Sequence, residues 1–292
     1  MSENRLEGVC AFIPHPSYPE EQFLVLYENE LKKATGKVPG MLSPVIETVG
    51  PGESHTQALE RAIYEELTQE CYRHLLPATQ DELDKYKLCE IDLPPNARLY
   101  AYLIKARNPR FYYDLYAKML PEFPGVRSGQ LSCPNPKRPW EIEVKRFEVE
   151  VTNWAYFSDV LASETNPDKY RFMFRPGVLE VVKSYLQRIK NPNSFVPPHY
   201  DYPANTVPKE IFEILKDEDV DNSPIARINV FGSNDPEAVF TELKVAKAMA
   251  RVGLDPSSYL QRVNQYMQSV CGHQIPRNWL NEFSTSHSMV NY

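Results

Sequence analysis

Glu53, Arg61, Glu65, Glu66 and Glu70 lie close together in a stretch whose spacing predicts a helix over 54–71. Ser54 is placed as its N-cap, and Pro51-Gly52 sets a sharp entry turn. At about 100° per residue, Leu59, Ile63, Leu67 and Cys71 form one apolar stripe, widened by Ala58 and Ala62. Glu66 falls within that apolar sector, beside Leu59. Glu65, Ala62, Glu66 and Gln69 make a continuous edge along it, and Glu70 projects near its centre. A carboxylate on a packing face is costly unless a cation or strong donors compensate it. Two adjacent carboxylates suit a hard divalent cation, which takes oxygen ligands. The ordinary alternative is a pair of glutamates reaching solvent, or pairing with Arg61 one turn before Glu65.

Residues 52–66, GESHTQALERAIYEE, resemble the Nudix box, whose pattern is GX5EX7REUXEEXGU with U an aliphatic residue. Glu53 matches its first glutamate, Arg61 its arginine, Ile63 its aliphatic position, and Glu65-Glu66 its paired glutamates. Four positions depart from it. Glu47 stands at the opening glycine, Ala62 at the glutamate after the arginine, and Thr68 and Gln69 at the closing glycine and aliphatic residue.

The resemblance implies an α/β fold, a Nudix-type α/β/α sandwich with a mixed sheet. It implies hydrolysis of a nucleoside diphosphate linked to another moiety, by water attacking phosphorus at a phosphoanhydride bond with Mg²⁺ or Mn²⁺. In that scheme Glu65 and Glu66 are metal ligands, and Arg61 orients a glutamate. Glu53 braces the helix entry, and Glu70 partly replaces the oxygen missing at Ala62. Glu148 or Glu150, on a strand resembling the late strand of Nudix domains, could do the same, or could simply face solvent. The alternative is a Nudix-like module that binds a nucleotide, an RNA end or a protein with weakened turnover.

Strands are predicted at Val9-Cys10-Ala11-Phe12-Ile13, at 22–27, at 99–104 and at 147–151, and a helix over 178–189. The segment 28–52 reads as a polar connection with Gly and Pro. Residues 107–143 read as an irregular insertion rich in Pro and aromatics. Within it, Arg107, Arg110, Phe111, Tyr112 and Tyr113 could stack a base and contact phosphate, or could pack onto the domain. Lys137-Arg138 is a weaker case of the same kind. The expected organisation is a Nudix-like domain over 1–190, a Pro-rich linker over 191–208, and a helical C-terminal domain over 209–292. In that last part Val239, Leu243, Ala246 and Ala250 recur at helical spacing, as do Leu260, Val263, Met267 and Val270. Asp255-Pro256 opens the second of these helices.

The composition, 42% hydrophobic and 24% charged, is that of a globular protein. A net charge of −7 argues against broad electrostatic binding to nucleic acid or anionic membrane. No apolar run spans a bilayer, and Pro14-His15-Pro16 cuts short the first apolar stretch, so a cytoplasmic address is expected. Cys10, Cys71, Cys89, Cys133 and Cys271 show no metal-ligand spacing and read as structural thiols. The partner expected is a nucleotide-derived small molecule. A homodimer through the C-terminal helices stands open against intrachain packing.

Overall fold

A computed structural model of the chain describes residues 5–28, 31–33, 36–67, 79–94, 96–105, 130–135, 138–146, 149–166, 173–202, 208–217 and 236–266. In chain order the elements are β1 (Leu6–Phe12), β2 (Gln22–Glu28), β3 (Leu42–Ser43), β4 (Val45–Thr48), α1 (His55–Glu66) and α2 (Gln80–Asp84). Next come β5 (Lys87–Leu93), β6 (Ala97–Leu103), β7 (Gln130–Asn135), β8 (Arg138–Arg146), β9 (Val149–Tyr156) and α3 (Phe157–Thr165). The chain continues with α4 (Val178–Lys190), β10 (His199–Asp201), α5 (Lys209–Asp217), α6 (Pro236–Arg251) and α7 (Ser257–Tyr266).

The expected sandwich with a mixed sheet is present. Its five-stranded sheet runs β10-β5-β6-β1-β4, with β1 parallel to β6 and antiparallel to β4. A second, antiparallel sheet runs β3-β2-β9. Side chains alternate across a strand, and both faces are covered, so β1 and β2 read as unbroken apolar runs. Val9, Ala11 and Ile13 pack with Leu24 and Leu26 under Leu59, Ala62, Ile63 and Leu67 of the α1 region. Cys10, Phe12, Phe23 and Val25 face the other way, against Phe157 and Val160 of α3 and Val178, Val181, Val182 and Tyr185 of α4. Burial pushes both the Cys10 and Cys89 thiols up, Cys89 to about 12, so each stays protonated.

The helix expected over 54–71 is present as His55–Glu66, with Leu67 as its C-cap, whose N–H bonds the Ile63 carbonyl; 68–71 lie outside the described residues. Three sequence expectations change. The segment 28–52 is no open polar connection, because it forms β3 and β4 and residues 36–45 are buried. The segment expected to be irregular carries a hairpin, with β7 and β8 paired antiparallel. Within the expected linker, β10 pairs in parallel with β5 and extends the sheet. Farther on, α5, α6 and α7 share a core containing Ile211, Leu215, Val245, Met249, Tyr259 and Leu260. Asp255 accepts the Ser257 N–H at 2.9 Å, the cap expected at the start of α7. Among the described residues no helix is long and apolar enough to cross a membrane.

Two histidines, His15 buried and His55 half-buried, are expected to make the fold sensitive to mild acid. His15 Nδ1 accepts the Ser17 and Tyr18 N–H groups at 3.0 and 3.1 Å, so its lone pair is already engaged. His55 Nδ1 lies 2.6 Å from the buried Tyr102 hydroxyl. Burial holds both rings below the ordinary histidine pKa, and in His55 it outweighs Glu7 and Asp84, which pull upward. The unfolded chain therefore binds more protons than the folded one below about pH 6.5. Urea melts are expected to show stability falling as pH drops from about 7 to about 5, by up to about 1.4 kcal/mol per pH unit for each ring. A flat profile across that window would show both rings titrating freely.

Candidate active site

The local chain at the entry to α1 is built around one guanidinium. Gly52 sits at φ 76°, a left-handed turn conformation that glycine adopts without steric cost, and it swings the chain into the helix. Ser54 caps α1 by accepting the Gln57 N–H, and the Gln57 side chain accepts the Ser54 N–H in return, a complete capping box. With the entry turn fixed, Glu53 accepts the Gly50 N–H at 2.7 Å and lies under Arg61.

Arg61 grips Glu53 with two contacts, Nε to Oε1 at 3.1 Å and Nη2 to Oε2 at 3.0 Å. Its Nη2 also donates to the Thr48 carbonyl at 2.8 Å. Nη1 lies 3.4 Å from Glu47 and 3.7 Å from Glu65. One cation thus joins the end of β4, the entry turn and the last turn of α1. Hydrogen bonds from Arg61, with the Gly50 amide, hold the Glu53 carboxyl below the usual carboxylate range despite its burial cost. Glu53 in turn pushes the arginine upward, so both stay charged.

Glu65 is 40% exposed, and Glu66 is half-buried at the end of α1. Ala62 is different. It is fully buried in the core with Val9, Ala11 and Ile63, so the acidic edge expected on this helix is interrupted by a core position. Glu70, Glu148 and the segment 107–113 lie outside the described residues, as does Lys137. Glu150 and Arg138 fall on β9 and β8.

A cleft of about 120 Å³ opens beside Glu47 and Thr48, at the edge of the five-stranded sheet. Lys32, Lys37, Arg98 and Arg175 line it, with apolar surface from Ile46, Leu93 and Leu99; Glu65 and Glu66 are not among its lining residues. Lys37 and Arg175 share the carboxylate of Glu28, at 3.2 and 2.9 Å, and Ser43 donates to Glu28 at 3.0 Å. Sequence reasoning missed these cations and Glu28. A glutamate closing the apolar run FLVLYE was the available signal, since a buried carboxylate needs a cationic partner.

Glu65 and Glu66 are adjacent carboxylates at the end of α1, and Mg²⁺ commonly takes one or two carboxylates from a protein, with water and phosphate oxygens for the rest. Among the described residues, the three-ligand group is elsewhere: Asp92, His199 and Asp201 bring ligand atoms within 4.8 Å of one another. Asp92 there is already paired with Arg5 and, at 2.7 Å, with Arg98, which holds its carboxyl well below the usual range.

No protein-family model matches the chain, and no curated protein matches it in sequence. Comparison with solved structures finds similarity to a MutT protein from Methanosarcina mazei Go1, 13% identical over 65% of this chain and 99% of that one, at a TM-score of 0.36. An ADP-ribose pyrophosphatase from Streptococcus suis 89-1591 is 10% identical over 68% of this chain and 100% of that one, also at 0.36. The C. elegans Ap4A hydrolase in a binary complex is 12% identical over 64% and 98%, at 0.34.

Proposed function

We propose that this chain is a Nudix-type hydrolase that cleaves a phosphoanhydride bond in a nucleoside-diphosphate derivative, with Mg²⁺ or Mn²⁺ at the end of α1. The observation that carries this reading is the bidentate Arg61–Glu53 pair with Glu65 on the same guanidinium. It ties the first glutamate of the box-like stretch to Glu65, the first of its closing pair, across a single arginine.

In this reading Glu65 and Glu66 would hold the metal ion. When bound, such an ion supplies charge neutralisation at a phosphoryl oxygen and lowers the pKa of water. The chain's own residues do the rest. Glu53 and Glu47 keep Arg61 charged and fixed, and Arg61, 3.7 Å from the Glu65 carboxylate, would orient it. Lys32 lines the adjoining cleft together with Lys37 and Arg175, which are held on Glu28, and Arg98, which is held on Asp92; in this reading these cations would turn their remaining N–H donors to phosphate oxygens, and the cleft's apolar surface suits the rest of the ligand. Water adds to one phosphorus, the bridging P–O bond breaks, and the bridging oxygen leaves with the second phosphate. The water's surplus proton passes to solvent.

A second reading, a module that binds such a ligand without turning it over, draws on one observation. Ala62 offers no oxygen and lies in the core, leaving two carboxylates where the resembled pattern has three. Incubation with ADP-ribose, dinucleoside polyphosphates, NADH and capped RNA, each with Mg²⁺ or Mn²⁺, separates the two. Metal-dependent formation of phosphate-terminated products supports the hydrolase. Saturable binding with no product supports the module, and neither binding nor product on any substrate would count against both.

A further inference from the structure

The short arm at residues 31–41 joins the cleft to the C-terminal helices through opposite sides of one backbone. On one side, Lys32, Gly36 and Lys37 line the cleft. On the other, Val38 and Met41 are fully buried in the helical core, with Ile211, Leu215, Val245 and Met249. Lys37 and Val38 are sequence neighbours, so the cation toward the cleft and the apolar anchor toward the helices cannot move independently. Tyr259, buried on α7, donates its hydroxyl to the Pro39 carbonyl at 2.8 Å, across 220 residues of sequence. Gly36 at φ 67° and Gly40 at φ 86° flank Lys37, Val38 and Pro39. The arm's own backbone is tied by Lys32 and Lys37, which exchange N–H···O bonds of 3.1 and 3.0 Å, and by the Gly40 N–H on the Glu28 carbonyl at 2.7 Å.

We infer that the C-terminal helices serve the cleft by positioning its lysine arm, with Tyr259 as a positioning residue for an anionic, phosphate-bearing ligand. The inference rests on the cleft reading above. A loose arm would leave Lys32 to be ordered at the ligand's expense and would shift Lys37 on Glu28, whereas an arm held by the helices presents both in place. The helices then have a role in ligand affinity without touching the ligand.

The test uses the full-length chain, inorganic pyrophosphate as the probe, and two readouts. Tyr259→Phe keeps the ring and removes only the hydroxyl. Hydrogen exchange at the Lys37 and Gly40 amides is expected to quicken in this variant without ligand. Calorimetric affinity for pyrophosphate is expected to weaken about fivefold to tenfold, the scale of one buried hydrogen bond. Lys32→Ala removes a cleft cation directly, and adding it to Tyr259→Phe should cost less than the two separate losses combined, because both act through the same arm. Val38→Ala, which loosens the arm from its apolar side, should shift affinity in the same direction. Unchanged exchange in Tyr259→Phe overturns the inference. So does quickened exchange with unchanged affinity, which would give the helices a purely structural role. If the unaltered protein takes up no pyrophosphate, the cleft reading itself falls, and the inference with it.

Discussion

Glu66→Gln is expected to reduce metal-dependent turnover at least about a hundredfold, because in the proposed reading Glu66 would hold the ion that stabilises charge developing mainly in the transition state. The substitution keeps size and shape at a half-buried position, removes the charge and turns one acceptor oxygen into an NH2 donor. The Arg61 cluster does not include Glu66, so the Glu53, Glu47 and Glu65 contacts should persist and the fold should be retained. The measurement is kcat/KM on whichever substrate is turned over, beside circular dichroism of the variant. Turnover that survives unchanged would remove Glu66 from the chemistry and throw weight on Glu65 alone.

Glu28→Gln is expected to destabilise the protein by about 3–5 kcal/mol, the usual cost of removing one partner from a buried ion pair. Glu28 is 2% exposed, and the side chains of Arg175 and Lys37 are 10% and 8% exposed, so the charges left behind have little water to fall back on. Burial alone would raise the Glu28 pKa, but Arg175, Lys37 and the Ser43 hydroxyl outweigh it and leave the carboxyl below its ordinary value. A depressed folded pKa contributes stability above the ordinary glutamate pKa that is lost as pH falls through the folded value. Wild-type protein should therefore weaken in urea melts below about pH 4.5, and the variant should lack that part of the acid loss. A change under about 1 kcal/mol would mean that the triad is effectively solvated. Because Lys37 and Arg175 also line the cleft, the same triad fixes two of its cations.

What could be read from the sequence divides along the range of the interactions. The α1 helix, its Ser54 cap and the runs that became β1 and β2 follow from local spacing, and the α/β sandwich with a mixed sheet follows from the box-like stretch. The C-cap at Leu67 did not, because the apolar pattern continues past Glu66 and no glycine or proline marks the stop. Strand β10 hides in a Pro-rich stretch, where His199-Tyr200-Asp201 shows no apolar alternation and pairs only because β5 has an edge to offer. The cleft cations were illegible for the same reason. Arg175 meets Glu28 across 147 positions, and Tyr259 meets Pro39 across 220, separations that no periodicity records. Ala62 was legible both as a lost oxygen and as part of the apolar stripe, and only the strands it packs against required the fold.

The most direct measurement of the central proposal is mass spectrometry of the products formed from ADP-ribose and the other candidate substrates in ¹⁸O-labelled water with Mg²⁺. The account predicts one ¹⁸O in a single product phosphate per turnover, present with the wild-type chain and lost with Glu66→Gln. Label appearing equally with both proteins, or no labelled phosphate from any substrate despite saturable binding, would contradict it.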